Sequence, residues 1–197
     1  SYRDFNDLIS TTVSLFTNQP DISHKYLSKY DYILVDEFQD VNTLQVELLK
    51  LLLTEQNHLF CVGDDWQSIY GFRGSNVEYI IEFEKHFPGS QIIKLKHNYR
   101  STKNIVGASN EVIKHNKYRI DKEILSNKLS EQTITDYSGL NETQNITFCV
   151  NQIRKLNSEG YASEDILFLY RRSKMYKSYL DEFRKNGIRV QGKTIHS

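Results

Sequence analysis

The sequence is poor in the residues that mark secreted, metal-binding or membrane proteins. It has two cysteines, Cys61 and Cys149, both within apolar stretches. This argues against a disulfide framework or a metal site built on them and favours a reduced cytosolic setting. No apolar run approaches the length that spans a bilayer, and the first residues lack the features of a signal peptide. We therefore expect a cytoplasmic protein that does not contact a membrane.

An excess of charge of either sign is also missing, because 25 Lys and Arg residues balance 25 Asp and Glu residues. Composition alone therefore does not indicate nucleic-acid binding, which would require a local stripe of basic residues. The 197 residues are enough for one substantial domain or two small ones. There is no initiator methionine, and Val190–Ser197 reads as a strand that runs off the end, so we interpret the chain as an internal fragment.

Short apolar runs alternate along the chain with segments in which apolar residues recur at helical spacing. The runs predict strands at Ile33–Val35, Leu59–Val62, Ile92–Leu95 and Ile166–Tyr170. The periodic segments predict helices with apolar faces over Phe5–Phe16, Leu44–Leu52, Val77–Glu84, Ile105–Val112, Ile146–Leu156 and Tyr176–Phe183. Ser101 is the expected N-cap of the fourth helix. The alternation predicts an α/β fold on a parallel, doubly wound sheet, with the polar segment 132–141 as a linker or insertion point.

Two acidic residues, Asp36 and Glu37, directly follow the first predicted strand. In open parallel sheets, ligands bind at the carboxyl ends of the strands. An enzyme that hydrolyses a nucleoside triphosphate needs one carboxylate to hold Mg²⁺, usually through water, and a second to orient and deprotonate the attacking water. Asp36 and Glu37 fit these two roles. A solvated acidic loop, with Asp40 as the N-cap of the next helix, is the alternative explanation of the pair.

Three longer segments carry a resemblance to a known family. They are Asp36–Asp40 (Asp-Glu-Phe-Gln-Asp), Gly63–Gly74 (Gly-Asp-Asp-Trp-Gln-Ser-Ile-Tyr-Gly-Phe-Arg-Gly) and Asn98–Thr102 (Asn-Tyr-Arg-Ser-Thr). In this order and spacing they resemble motifs II, III and IV of the UvrD/Rep family of superfamily 1 DNA helicases. Further support comes from Asp4–Leu8, Leu169–Arg171 and Thr194–Ser197, the last of which resembles the start of motif V.

The resemblance implies two incomplete RecA-like motor domains, the later part of the first over residues 1–97 and the opening part of the second over residues 98–197. It implies that the intact parent hydrolyses ATP with Mg²⁺, translocates on single-stranded DNA and opens duplex at single/double-strand junctions. The family's phosphate loop lies upstream of motif II, in a region that this sequence does not contain. We therefore expect the fragment itself to hydrolyse ATP poorly or not at all. The oligomeric state is left open.

At the nucleotide site, the resemblance assigns Mg²⁺ to Asp36, the attacking water to Glu37 and the terminal phosphate to Gln67. It makes Arg100 the arginine finger, a role that suits a guanidinium because it stays charged and binds phosphate oxygens in a fork. Tyr99 resembles the ring that stacks on the adenine. Outside the motifs, a loop glutamine is usually solvated, an arginine more often forms a surface ion pair, and a tyrosine before a helix often lies at the edge of the core.

The resemblance also implies DNA contacts from six residues: Tyr70, Phe72 and Arg73 in motif III, Arg171, and Thr194 and His196 in motif V. Flat rings stack on bases without reading sequence, at about 1–3 kcal/mol per base. Outside the motif, alternating aromatic residues would indicate strand packing. Many relatives carry Arg-Trp where this chain has Gly71-Phe72, which keeps a ring and loses a cation. Trp66 stands where a small residue is common in the family, and a tryptophan at this position resembles the sequence of the helicase IV branch.

A second nucleotide-binding pattern lies near the end of the chain. Gly187–Thr194 matches the phosphate-loop pattern of a glycine, four residues, a glycine, a lysine and then a serine or threonine. That loop requires a buried strand before it and a helix after it, whereas a predicted helix precedes this segment. Two alternatives to the helicase remain: a small phosphate-loop kinase or NTPase built on Lys193, and a non-enzymatic module that binds nucleic acid or a partner without a motor cycle.

Overall fold

The computed structural model describes residues 4–27, 29–130, 132–171 and 173–191. These residues contain eight α-helices and two β-strands. In chain order they are α1 (Phe5–Asn18), α2 (Pro20–Leu27), β1 (Tyr32–Val35), α3 (Thr43–Leu52), β2 (His58–Cys61), α4 (Glu78–Ile81), α5 (Phe83–His86), α6 (Lys103–Ile113), α7 (Glu142–Ser158) and α8 (Ser173–Lys185). Residues 1–133 and 134–197 form two compact units. Among these helices, none combines the length and apolarity needed to cross a membrane.

The two strands form a parallel pair in the first unit. β1 and β2 are in register from Tyr32 opposite His58 to Val35 opposite Cys61, which confirms the first two predicted strands. The connection between them contains α3, as a parallel crossover requires. One face packs on the core, whereas Leu34 on the other face is 74% exposed. The fold is therefore α/β with a small parallel sheet, two strands wide in the part of the chain that the structure describes.

The core of the first unit is built around Phe38, which is completely buried. A single 3₁₀ turn, Phe38–Asp40, follows β1 and directs this ring inward. The ring meets those of Phe83 and Phe87 edge-on, with centroids 5.3 and 6.1 Å away, a favoured arrangement for aromatic pairs. Phe38 thus fixes the chain immediately beyond the carboxyl end of β1.

The helix after this turn begins at Thr43, two residues later than a helix capped by Asp40 would begin. Asn42 is its N-cap: Gln45 N–H donates to Asn42 Oδ1 at 3.0 Å, and Asn42 N–H donates to Gln45 Oε1 at 2.9 Å. This reciprocal pair satisfies two backbone donors at the helix start. The expectation that Asp40 caps the helix is wrong, because Asp40 ends the 3₁₀ turn instead.

The helix predicted over Val77–Glu84 is two short helices, α4 and α5. The break lies at Glu82, whose backbone (φ −106°, ψ 37°) is not helical. Phe83, the first residue of α5, and Phe87, the residue directly after this helix, both reach the Phe38 ring.

Two predicted strands do not form. Ile92–Leu95 and Ile166–Tyr170 have no strand assignment, and near the first the described chain holds a single isolated bridge, between His97 and Leu125. A strand needs a neighbouring backbone to accept its hydrogen bonds. In the second segment, alternate side chains still pack inward, since Phe168 contacts the core while Leu167 is 79% exposed.

The helix after motif IV faces inward through a different stripe than predicted. Val106 is buried, whereas Ile105 and Val112, which the sequence places on the core face, are 47% and 70% exposed. The reason is that the later segment around Ile124 lies along α6. The Ile124 carbonyl accepts from Asn110 Nδ2 at 2.9 Å, and Asn110 lies on the same face of the helix as Val106. The N-cap is Thr102 and not Ser101.

The second unit packs α7 against α8 around five buried residues: Ile146, Val150, Ile153, Tyr179 and Phe183. Both helices were predicted, and each is followed by a glycine with positive φ, Gly160 at 97° and Gly187 at 75°. Glycine adopts this conformation without the steric penalty of a side chain, so it ends helices readily. The division between the two units falls within the polar segment 132–141.

Candidate functional site

The paired carboxylates of Asp36 and Glu37 lie exposed at the carboxyl end of β1. Val62 N–H donates to Val35 O at 2.8 Å, and Phe38 N–H donates to Val62 O at 2.9 Å. These bonds join the ends of the two strands, so the residues that follow β1 and those that follow β2 meet at one edge of the sheet. The sequence argument for a site at this edge depends on this geometry.

Glu37 has a left-handed backbone, with φ 51° and ψ 44°, and is the one non-glycine residue of the described chain with positive φ. Such a conformation is sterically unfavourable for a residue with a side chain and is frequent at functional sites. It is held by the Glu37 N–H, which donates to Asp36 Oδ1 at 2.9 Å, and by the following turn. The Glu37 side chain therefore leaves the backbone in a direction that continuing strand geometry would not give it.

Gln39 links the carboxylate pair to the loop after β2. Its side chain is buried, with 1% exposure; Nε2 donates to Glu37 Oε2 at 2.7 Å and Oε1 accepts from Asp64 N–H at 2.9 Å. A Cβ atom at Gly63 would lie 2.8 Å from Gln39 Oε1, so glycine at that position makes room for the amide. The sequence analysis missed Gln39. Its position two residues after Glu37 within motif II is the signal that was available.

The loop after β2 presents Gln67 on the same network. Asp64 accepts from Gln67 Nε2 at 2.8 Å and from Trp66 N–H at 3.2 Å. Asp64 Oδ1 also accepts from Lys122 Nζ at 2.6 Å. Burial alone would raise the pKa of Asp64, but the hydrogen bonds from Lys122 and Gln67 and the charge of Lys122 outweigh it, so the pKa is lowered. Asp64 is therefore held ionised as the acceptor that fixes Gln67.

The motif III aromatics form an exposed cluster and do not pack within a strand. Tyr70 and Phe72 are 39% and 80% exposed, and their ring centroids are 6.1 Å apart. The Arg73 guanidinium lies over both rings, 5.4 Å from the Tyr70 centroid and 5.5 Å from that of Phe72. Beside the cluster, a cavity of about 270 Å³ is lined by Asp40, Asn42, Gln45, Tyr70, Arg73 and Ser75. Flat rings next to a cation suit a single-stranded nucleic acid.

Tyr99 and Arg100 lie in the turn that precedes α6. Asn98 Oδ1 accepts from the backbone N–H groups of Arg100 (3.0 Å) and Ser101 (2.8 Å), which shapes this turn. Tyr99 is 86% exposed, and the Arg100 side chain forms no ion pair with any described residue. Both side chains project from the surface of the first unit.

The remaining sequence candidates lie in the second half of the chain. Arg171 is exposed and belongs to the second unit. Thr194 and His196 lie outside the described residues, as does Lys193 of the second phosphate-loop pattern. In the described part of that pattern, Gly187 follows α8 with positive φ, and Ile188 and Val190 pack against the core.

The carboxylates at the end of β1 fit what Mg²⁺ requires. Mg²⁺ in phosphate-transfer sites is usually held by one or two carboxylates, by water and by the phosphates of the substrate. Asp36 Oδ1 accepts one backbone hydrogen bond, and the exposed carboxylate has further lone pairs available. No group of three or more His, Cys, Asp or Glu side chains suited to a metal occurs within the described ranges.

Two family models match this chain, one after the other. The model described as the UvrD/REP helicase N-terminal domain matches residues 1–88, and that of the UvrD-like helicase C-terminal domain matches residues 93–194. This chain belongs to the UvrD/Rep helicase family. Together the two models cover the carboxylate pair, the Gln67 loop, the aromatic cluster and the Arg100 turn, so this UvrD-type chain carries the motifs on which the resemblance rests.

Curated relatives of this UvrD/Rep family member agree with that assignment. It is 39% identical over 185 residues to the ATP-dependent DNA helicase PcrA of Staphylococcus aureus (strain Mu50) and 40% identical over 185 residues to that of Staphylococcus epidermidis (strain RP62A). Each match covers 94% of this chain and 25% of the relative. The chain thus spans about a quarter of the length of these relatives.

Proposed function

We propose that this chain is part of an ATP-dependent DNA helicase that couples Mg²⁺-dependent ATP hydrolysis to translocation on single-stranded DNA and to duplex unwinding at single/double-strand junctions. One observation supports the proposal most. A continuous hydrogen-bonded path runs from Glu37 through Gln39 and Asp64 to Gln67. It joins the group that would activate water to the group that would sense the terminal phosphate.

The residues at the strand ends divide the chemistry among them. Asp36 would hold Mg²⁺, and Glu37 would orient the attacking water and accept its proton. Bound Mg²⁺ neutralises charge that develops on the phosphoryl oxygens. Arg100 has a guanidinium without an ion pair to any described residue, so it is available to bind phosphate oxygens in a fork. Tyr99, with most of its ring exposed, would stack on the adenine.

Coupling to DNA would run through the loop that bears Gln67. The aromatic cluster of Tyr70, Phe72 and Arg73 begins three residues after Gln67 in the same loop. A shift of Gln67 on binding or losing the terminal phosphate would therefore move these rings. Conformational steps of this kind, in which ligand contacts close a site, are common in nucleotide-driven enzymes. Arg171, Thr194 and His196 would supply further DNA contacts from the second half of the chain.

The proposed domain organisation is RecA-like, with residues 1–97 as the later part of the first motor domain and 98–197 as the opening part of the second. The two family-model matches, which meet between residues 88 and 93, support this boundary. The first compact unit extends beyond it to residue 133. The segment 98–133 therefore packs with the first unit although the C-terminal family model covers it.

A chimera tests the catalytic assignment. In it, this chain replaces the matching segment of the Staphylococcus aureus PcrA helicase, and ATP hydrolysis is measured with and without single-stranded DNA. We expect hydrolysis that DNA stimulates. Replacing Glu37 with Gln should lower kcat by about 100-fold or more, as loss of a general base does, with little change in DNA affinity.

Glu47→Gln is the matched control, because Glu47 is exposed on α3 and makes no described ion pair. Its kcat should equal that of the unmodified chimera. If Glu37→Gln retained full kcat in a folded, DNA-binding chimera, Glu37 would not be the base and the proposed reaction would fail at this site.

A second candidate function, a module that binds single-stranded nucleic acid without a motor cycle, also has an observation in its favour. The exposed aromatic cluster lies wholly within the first unit, with the Arg73 guanidinium over both of its rings. Binding that ATP does not alter, together with a chimera that does not hydrolyse ATP, would favour this alternative.

A further inference from the structure

We propose that Lys122 is a positioning residue for Gln67, acting through the two carboxylates that it bridges. The inference rests on the proposed function, in that it deepens the role of Gln67 at the nucleotide site. Lys122 lies in the segment between α6 and residue 133 and belongs to none of the motifs on which the resemblance rests.

The Lys122 ammonium contacts two consecutive carboxylates. Nζ lies 2.6 Å from Asp64 Oδ1 and 2.6 Å from Asp65 Oδ1. The exposed fractions of the three side chains are 13% for Lys122, 34% for Asp64 and 1% for Asp65. Two adjacent anions with this much burial repel each other unless a cation lies between them. Lys122 supplies that cation, since its ammonium lies within 2.6 Å of an oxygen of each carboxylate.

Ile120, two residues before Lys122, also forms hydrogen bonds with the loop that bears Gln67. Ile120 N–H donates to Asp65 Oδ2 at 2.7 Å, and the Trp66 indole N–H donates to Ile120 O at 3.2 Å. Lys122 Nζ also lies 5.0 Å from the centre of the Trp66 ring. Five contacts therefore tie residues 120–122 to residues 64–66, immediately before Gln67.

Asp64 passes this constraint to Gln67. Its Oδ1 faces Lys122, and its Oδ2 accepts from Gln67 Nε2 at 2.8 Å. Gln67 is itself exposed, and its side chain forms no other hydrogen bond with the residues that the structure describes. Without Lys122, Asp64 would turn toward solvent or away from Asp65, and the one bond that orients the Gln67 amide would be lost. Lys122 thus determines where Gln67 points without itself touching the nucleotide.

Lys122 connects the segments matched by the two family models. Asp64, Asp65 and Gln67 lie in the segment matched by the N-terminal family model, whereas Lys122 lies in that matched by the C-terminal model. A displacement of the segment around Lys122 would therefore reach Gln67 directly, through one ion pair and one hydrogen bond. The charge of Lys122, more than its length, is what the carboxylates require.

The test observes Gln67 in the 197-residue chain itself. In ¹⁵N-labelled protein, the Gln67 side-chain amide is identified by its disappearance in Gln67→Ala. Its hydrogen exchange is expected to be about tenfold slower than that of Gln56, which is exposed and makes no side-chain bond through its amide, because a bond to an ionised carboxylate protects the group. Lys122→Met should abolish the protection, and Lys122→Arg should retain most of it.

Trp66, the single tryptophan of the chain, gives a second reading in the same samples. Its emission should move to longer wavelength in Lys122→Met, as the indole loses the ammonium and gains water, and stay near the native value in Lys122→Arg. Lys117→Met is the control, since Lys117 is exposed and forms no described ion pair. It should change neither signal.

Lys122→Gln is made as well, because it removes the charge and keeps a polar end if Lys122→Met does not fold. Protection of the Gln67 amide that is unchanged in a folded, uncharged variant overturns the proposal, even if Trp66 emission shifts. The outcome is separable from that of the proposed function, because neither reading requires ATP. An inactive chimera with a Gln67 amide that depends on Lys122 would reject the reaction and keep the positioning role.

Discussion

Gln39 buries an amide that can form several hydrogen bonds, and its environment shows why it is there. An unpaired amide in the interior costs about 1–3 kcal/mol, so burial of this side chain is tolerated because Glu37 and Asp64 N–H each satisfy one end. The amide nitrogen of Gln39 donates to the Glu37 carboxylate, and the amide oxygen accepts from the loop after β2. At the residue scale, one side chain sets the spacing between two motifs.

The pH dependence of stability tests the network around Asp64. Its pKa is lowered in the folded chain, since bonds from Lys122 and Gln67 outweigh the effect of burial. The stabilisation is therefore present above the pKa of an unfolded Asp, about 3.9, and is lost as the pH falls through the lower folded value. Urea unfolding measured from about pH 6 to pH 2 should show a decline in the unfolding free energy that is shallower in Asp64→Asn.

Asp31→Asn is the control for that substitution, because Asp31 is exposed in the same unit and forms no ion pair with a described residue. Its pH profile should follow that of the native chain. An Asp64→Asn profile parallel to the native one throughout would show that this carboxylate keeps its ordinary pKa on folding.

The helix α6 illustrates how far local pattern determines an element. Its existence follows from helical periodicity, but its inward face does not, because Val106 and Asn110 are selected by the segment that returns along them at Ile124. The same limit applies to the two missing strands. Their apolar runs are local, whereas a strand exists only if a second backbone is aligned with it. The β1–β2 pair and the helices other than α2 could be predicted, although one predicted helix is broken at Glu82 into α4 and α5; the inward face of α6 and the absence of the two strands could not be predicted.

Two valines on α6, one buried and one exposed, test which face of this helix packs inward. Val106→Ala should lower the unfolding free energy by about 1.5–3 kcal/mol, the cost of losing a buried aliphatic side chain. Val112→Ala removes the same two methyl groups from a side chain that is 70% exposed, and the change should stay within about 0.5 kcal/mol. Chemical denaturation of both variants decides between the faces. A larger loss for Val112→Ala would restore the face that periodicity predicts.

For the whole molecule, the balanced charge of the chain shapes how it would bind DNA. With 25 basic and 25 acidic residues there is no general attraction to phosphate, so binding has to come from local groups such as the aromatic cluster. Binding that depends on stacking with few phosphate contacts changes less with salt than binding by a basic protein.

Two exposed phenylalanines, one in the aromatic cluster and one on α1, test whether the cluster binds single-stranded DNA. Phe72→Ala should weaken single-stranded DNA binding by about tenfold, corresponding to the loss of one stacked base, as measured by fluorescence anisotropy at several salt concentrations. Phe5→Ala removes an equally exposed ring, 86% against 80%, from α1 and should leave the affinity unchanged. Equal effects of the two substitutions would mean that the cluster does not bind the bases.

The candidate site was predictable where its residues are consecutive and not where they are distant. Asp36, Glu37, Gln67 and the aromatic cluster follow from motifs that can be read along the chain. Lys122 lies 58 residues from Asp64, and nothing in its immediate neighbours distinguishes it from the other lysines. Pairings over such separations depend on the folded path of the backbone.

Gly71 stands between Tyr70 and Phe72 of the aromatic cluster. A side chain at this position would meet nothing within 4 Å, and its backbone is not in the left-handed region that favours glycine. The fold therefore does not require glycine at position 71, because a Cβ atom added there would displace no neighbouring atom. A substitution at this position would change the chemistry beside the Tyr70 and Phe72 rings while leaving the free energy of unfolding nearly unchanged.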